Sequence, residues 1–258
     1  MIEIKNLSFS YGAHEVLKNI SFTAKNGEVL SVLGPNAVGK STLFGCILRL
    51  LTPSSGEILI DGVPAATLSA KQLARRIAYI PQSHNPVFQY SVFDMALMGA
   101  TAQLGTFANP GREQTELVER ALERLGILHL KQRGYLQLSG GERQLTLIAR
   151  ALVQNAKILV MDEPSSSLDY GNRLRVMQTV RSLAAEGYCI IQSTHDPDQA
   201  YLYSDKILAL YDGAILAHGT PKEIFDASLI SKLYGVEVEV CKINHDTVRI
   251  CVPKGEFL

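Results

Sequence analysis

Apolar and polar residues alternate through the first ten positions, from Ile2 and Ile4 onward, and apolar side chains return at Ile20 and Phe22, Val29 to Leu33 and Ile58 to Val63. A period of two with Asn26-Gly27 and Asp61-Gly62 as punctuation predicts antiparallel and core strands at the start of the chain. The period then changes. From Lys40, Leu43, Phe44, Ile47, Leu48 and Leu51 recur at helical spacing up to Thr52-Pro53, which predicts one buried helix. Leu117, Val118, Ala121, Leu122 and Leu125, closed by Gly126, predict another, and the stretch from 83 to 156 carries little strand signal.

Beyond that helical stretch, strand and helix patterns alternate: Ile158 to Met161, a helix over Arg173 to Ala185 ending near Gly187, then Tyr188 to Gln192. Alternation of this kind is most economically a parallel sheet. Asp212-Gly213 predicts a hairpin, and Thr220, Pro221 and Glu223 form a capping box with proline at the first helical position. A second hairpin is expected from Val236 to Ile243 and Thr247 to Val252. Neither an internal repeat nor a low-complexity tract interrupts the pattern.

Composition narrows the class. The 258 residues are 47% hydrophobic, enough for a sizeable core, and Lys+Arg and Asp+Glu both total 25. A net charge of zero provides no broad field for nucleic acid, so none is expected as a partner. No stretch approaches the roughly 20 apolar residues that span a bilayer, and Met1 is followed by strand alternation rather than a leader, so neither crossing nor secretion is expected. Cys46, Cys189, Cys241 and Cys251 contain no CxxC pair, which suits a reducing compartment. Cys241, His245 and Cys251 have spacings unlike zinc motifs and are read as core or surface residues.

Candidate chemistry begins at Gly34-Pro35-Asn36-Ala37-Val38-Gly39-Lys40-Ser41-Thr42, a G-x-x-x-x-G-K-[ST] match placed between an expected strand and an expected helix. A polyphosphate needs many donors at close range. Loop and helix-terminal N–H groups supply them, Lys40 adds a point charge for the β and γ phosphates, and Ser41 offers a hydroxyl to Mg²⁺. The apolar run Ile158 to Met161 then delivers Asp162 and Glu163 to the carboxyl end of a buried strand, where such sheets bind ligands. Asp162 is expected to hold Mg²⁺, and Glu163 to orient or deprotonate the attacking water as general base. Leu138-Ser139-Gly140-Gly141-Glu142 opens a further helix. Its capping box accounts for Ser139 and Glu142 without any function, but the paired glycines bare a second set of helix-terminal amides. One ATP needs both anion sites only if two subunits share it.

Together with Gln82 in Tyr79-Ile80-Pro81-Gln82, Asp169 in Ser-Ser-Ser-Leu-Asp and His195 in Ser-Thr-His-Asp, these motifs occur in the order shown by ABC transporter ATPase subunits, and the resemblance spans residues 1 to 235. It implies an α/β phosphate-loop ATPase with an antiparallel β subdomain, a mainly parallel core sheet and an inserted helical subdomain. The expected divisions are a core at 1–82 and 157–235, a helical signature subdomain at 83–156 and a β extension at 236–258. By the same resemblance Tyr11 stacks on adenine, Gln82 senses Mg²⁺ and the attacking water, and His195 donates to the γ phosphate. Ser139 and Gly141 would meet the γ phosphate bound by a second subunit, with Gly140 between them in the same nucleotide-binding tip, while Asp169 links the two sites. The implied assembly is a homodimer on two membrane-spanning permease subunits, served indirectly by a substrate-binding protein and lying at the cytoplasmic face of the cell membrane.

The pattern is departed from at two positions. Ala37 stands where the family commonly has glycine, so either that position needs no positive φ or the loop carries strain of about 1 kcal/mol. Leu145 replaces a polar residue often seen after Glu-Arg-Gln and is expected to alter local packing alone. The segments Val92 to Gly99, Leu168 to Asn172 and Leu233 to Val238 resemble ATPases that import iron siderophores, haem, cobalamin and related metal chelates, or oxyanions such as molybdate. Phe88 to Gly99 would receive a cytoplasmic helix of the membrane subunit. The alternatives are a soluble mechanical ABC ATPase and the ATPase of an exporter.

Overall fold

The computed structural model describes residues 1–84, 86, 88–104 and 109–255; the expected helical subdomain and β extension each include positions outside these. β1 (Ile2–Tyr11) and β2 (His14–Ala24) form a hairpin, β3 (Val29–Leu33) enters the core, and α1 (Lys40–Ile47) follows it. β4 (Ser55–Ile60) and β5 (Val63–Pro64) return to the hairpin, giving an antiparallel sheet of order β2-β1-β4-β5. Ile2 and Ile4, then Leu7 and Phe9, are buried in β1, and the alternation shifts at Lys5-Asn6, where the strand bulges and Asn6 takes φ 49°.

α1 ends four residues before its apolar pattern does. Leu48 is the cap, Arg49 turns left-handed at φ 57°, and the amides of Leu50 and Leu51 both donate back to the Gly45 carbonyl, at 2.9 and 3.1 Å. This is a helix-ending reversal in which the next residue abandons helical φ. The arginine at this position donates from its guanidinium to the Leu68 carbonyl.

After α2 (Ala70–Ala74) and β6 (Ile77–Ile80) come α3 (Val92–Leu97), α4 (Arg112–Arg124) and α5 (Gly140–Gln154). β7 (Ile158–Met161), α6 (Tyr170–Ala185), β8 (Cys189–Thr194), α7 (Pro197–Tyr203) and β9 (Lys206–Tyr211) then alternate. α6 begins three residues earlier than its apolar period, because the Asp169 carboxylate caps it. β10 (Ala214–Gly219), α8 (Pro221–Ile224), α9 (Ala227–Tyr234), β11 (Val238–Ile243) and β12 (Val248–Pro253) complete the described chain.

The core sheet has the order β10-β9-β3-β8-β7-β6, parallel except for the β9–β10 pair. β3, β7 and β8 are buried along their whole length. Val29 packs towards the α3–α6 helices while Leu30 and Val32 face α1 and the antiparallel sheet, so the strand is covered on both sides. Each buried aliphatic side chain contributes about 1.5–3 kcal/mol. A third apolar cluster joins Leu33 and Ala209 to Ala200 and Tyr201 of α7 and Phe225, Leu229, Ile230 and Leu233 of the carboxyl-terminal segment.

Strand register decides where the site falls. Leu33 pairs with Thr194, Gln192 with Met161, and Met161 with Ile80. The loops after β3, β6, β7 and β8 therefore leave the same sheet edge, and with them Gly34–Thr42, Gln82, Asp162–Glu163 and His195. Among the described residues no helix is long and apolar enough to cross a membrane.

Candidate functional site

The loop after β3 wraps the amino end of α1. Gly39 caps the helix at φ 108° and Ala37 lies in left-handed backbone at φ 63°, so the position that glycine would favour does require positive φ. Lys40, the first residue of α1, is buried. Its Nζ donates to the carbonyl oxygens of Gly34 and Pro35 at 2.7 and 2.9 Å and lies 3.8 Å from Glu163 Oε1. Burial pushes the ammonium pKa down, while the charges of Glu163 and Asp162 push it back up.

The two carboxylates at the end of β7 point into the same space and are organised by one hydroxyl. Ser193 Oγ donates to Asp162 Oδ1 at 2.5 Å and accepts the Glu163 amide at 2.9 Å. Ser41 Oγ donates to the other Asp162 oxygen at 3.2 Å, so α1 and β7 meet through that carboxylate. Burial and the Asp162 charge push the Tyr79 hydroxyl up to about 12, which keeps it a neutral neighbour.

Glu163 joins the loops after β6 and β8 to the lysine. Its backbone is left-handed at φ 44°, and its side chain is only 11% exposed. Oε1 lies 3.0 Å from His195 Nδ1, and Oε2 accepts Gln82 Nε2 at 3.2 Å. Gln82 also donates to Ser166 Oγ at 3.0 Å, tying the loop after β6 to the loop after β7.

A cleft of about 450 Å³ runs from Tyr11 and Val16, past Asn36 to Thr42, to Gln82, Asp162 and Glu163. Tyr11 is 54% exposed beside the cleft, and its ring makes a T-shaped contact with Phe9, centroids 4.7 Å apart. An adjoining cleft of about 260 Å³ shares Asn36, Gln82 and Glu163 and adds Thr194, His195 and Arg173.

Ser139, Gly140, Gly141 and Asp169 do not line either cleft. Ser139 caps α5 in a two-way box: its amide donates to Glu142 Oε2 at 2.7 Å and its hydroxyl accepts the Glu142 amide at 3.3 Å. Asp169 caps α6, accepting the Asn172 amide and side-chain NH₂ at 2.8 and 2.7 Å, bonds that hold its carboxyl below the usual range. The two helix tips touch, since a Cβ at Gly141 would lie 2.4 Å from Asn172 Oδ1. Leu145 is buried in the helical cluster.

Sequence reasoning missed Ser193, Ser166 and Arg173. Ser193 stands two residues before His195 near the end of a buried strand, so position carried a signal; Ser166 and Arg173 had none beyond their place near Asp169. A strand–loop–helix cradle with a buried lysine, paired carboxylates at the end of a parallel strand of the same sheet and an aromatic beside the cleft define a phosphate-loop nucleoside triphosphatase.

A family model described as ABC transporter matches residues 17–166. An uncharacterised ABC transporter ATP-binding protein of Haemophilus influenzae is 39% identical, covering 93% of this chain and 91% of the relative. The ferric enterobactin transport ATP-binding protein FepC of Escherichia coli is 33% identical over 97% of this chain and 93% of its own. A solved ABC transporter assigned to the metal-chelate type, in an inward-facing conformation, superposes with a TM-score of 0.87 at 30% identity, covering 99% of this chain and 98% of that one. The chain belongs to the ABC transporter family, and within it is an ATP-binding transport ATPase.

Proposed function

We propose that this ATPase drives import of a metal chelate, of the siderophore, haem or cobalamin kind or a related oxyanion, by clamping ATP between two copies of the chain seated on two membrane-spanning permease subunits. The observation that carries the reading is the division of the site. One chain gathers Lys40, Ser41, Gln82, Asp162, Glu163 and His195 at a single sheet edge, yet holds its Ser139-Gly140-Gly141 helix tip outside that cleft. An exposed helix terminus is an anion site in search of a charge. A second copy, placed head to tail, supplies the γ phosphate.

Residues 1–82 and 157–235 form the nucleotide-binding core, 83–156 the subdomain that presents the tip, and 236–258 an extension. Tyr11 receives the adenine face, and Gly34 to Thr42 enclose the phosphates with their amides while Lys40 exchanges its loop carbonyls for phosphate oxygens. The hydroxyl of Ser41 and the carboxylate of Asp162, already hydrogen-bonded to each other, are hard oxygen donors that fit Mg²⁺, with the Gln82 amide oxygen as a further ligand. Bound there, Mg²⁺ neutralises charge on the β and γ phosphates. Glu163 accepts the proton of the attacking water; Gln82 and His195, which hold its two oxygens, orient the water and donate to the γ phosphate. Asp169 relays the state of one site to the other.

Metal-chelate import is supported by near full-length similarity to the enterobactin protein and to the metal-chelate transporter structure. A substrate-binding protein delivers the cargo from the far side, and this chain works as a peripheral subunit at the cytoplasmic face. Glu163→Gln tests the catalytic assignment: steady-state turnover is expected to fall by about 10²–10⁴-fold with the Kd for Mg-ATP unchanged within about twofold. Undiminished hydrolysis would remove Glu163 from the role.

A further inference from the structure

His195 touches Glu163 through its ring, and the peptide that follows it is bonded at both of its polar groups. The N–H of that peptide, carried by Asp196, donates to Thr194 Oγ1 at 3.1 Å. Its C=O, on His195 itself, accepts a hydrogen bond of 2.9 Å from Tyr234 Oη, thirty-nine positions away. Both polar groups of the peptide plane are thus fixed, one locally and one from the end of the carboxyl-terminal helix α9.

Tyr234 is itself held from behind. It is the last residue of α9, whose Leu229, Ile230 and Leu233 are buried against α7 and β9, and Gly235 reverses the chain immediately after it at φ 69°. The following hairpin is bonded to the helix that comes just after the histidine: the Cys251 amide donates to Asp198 Oδ1 of α7 at 2.8 Å. Arg249 Nη1 adds a bond of 2.9 Å to the Phe225 carbonyl, closing the carboxyl-terminal segment on itself.

We propose that Tyr234 is a positioning residue for His195, holding the peptide that aims the imidazole at Glu163 and the γ phosphate, and so makes the carboxyl-terminal segment part of the hydrolytic machinery. The proposal rests on the role given above to His195. It requires no movement and no further ligand, only that a peptide bonded on both sides reorients less than one bonded on one side.

Full-length protein carrying Tyr234→Phe keeps the ring and loses the donor. Its kcat is expected to fall about five- to tenfold, the size of one lost hydrogen bond, with KM for ATP unchanged within about twofold. Against a His195→Ala background the same change is expected to have no further effect, because the group it aims is gone. Replacing Tyr234 by 4-aminophenylalanine, which restores a donor, is expected to recover kcat, and decides the matter if the Phe variant folds poorly. Wild-type kcat in the Phe variant, losses that multiply in the double variant, or a 4-amino variant that folds but stays slow would each overturn the proposal. His195→Ala retaining wild-type turnover would instead defeat the underlying assignment of the histidine, and the proposal with it.

Discussion

Ala37 and Glu163 occupy left-handed backbone at φ 63° and 44°, and both belong to the phosphate-binding edge. Such residues cost of order 1–3 kcal/mol each and persist only where their surroundings fix them. For Glu163 the fixing groups are the Ser193 hydroxyl on its amide and Gln82 and His195 on its carboxylate. Ala37 has only the turn itself, so Ala37→Gly is expected to stabilise the protein by about 0.5–1 kcal/mol, or raise Tm by roughly 1–4 °C, after allowing for glycine's freer unfolded chain. A thermal melt with Tm unchanged or lowered would contradict the strain. The conformation could not be read from the motif, which tolerates any residue at that place; its cost could, from chirality. Lys40, Ser41, Asp162 and Glu163 were legible because a phosphate cradle and a strand-end carboxylate are local patterns. Ser193 and Tyr234 were not, because each acts across a gap between distant segments.

At the scale of elements, capping chemistry translated directly. The Ser139–Glu142 box forms in both directions; at Thr220 only the amide-to-Glu223 carboxylate half is made, the Glu223 amide donating to the Thr220 carbonyl instead, yet both helices start where the caps stand. Apolar period alone did worse: it overran α1, where Arg49 reverses the chain, and began α6 late, where polar Asp169 and Asn172 build the first turn. The joint between the sheet edge and the helices contains a further testable group. His84 packs edge-on against Tyr135 with centroids 6.3 Å apart, and burial together with the Arg150 charge pushes its pKa below the ordinary 6.5. The unfolded chain therefore takes up a proton at a pH where the folded chain still refuses it, so stability is lost as pH falls from about 6.5 towards the folded value. The Tm of His84→Gln is expected to drop less than that of wild type between pH 7.5 and 5.5. Parallel curves for the two proteins would refute the assignment.

For the whole molecule, strand register rather than any motif brings the loops of β3, β6, β7 and β8 to one edge, and the same register leaves the tip of α5 outside their cleft. The sequence signalled a parallel sheet and a helical insertion, and its two anion sites already argued for two subunits. It could not show that α5 and α6 meet tip to tip, which makes Gly141 a poor probe of the dimer because any side chain there strikes Asn172 first. Ser139 is exposed and the better choice. Light scattering on Glu163→Gln with Mg-ATP, with and without Ser139→Arg, tests the shared nucleotide most directly. The single variant is expected to dimerise on adding ATP and the double variant to remain monomeric, with Tm lowered by no more than the few degrees that a lost helix cap costs. Equal ATP-dependent dimerisation of the two proteins would contradict an ATP held between one chain's lysine and the other's serine tip.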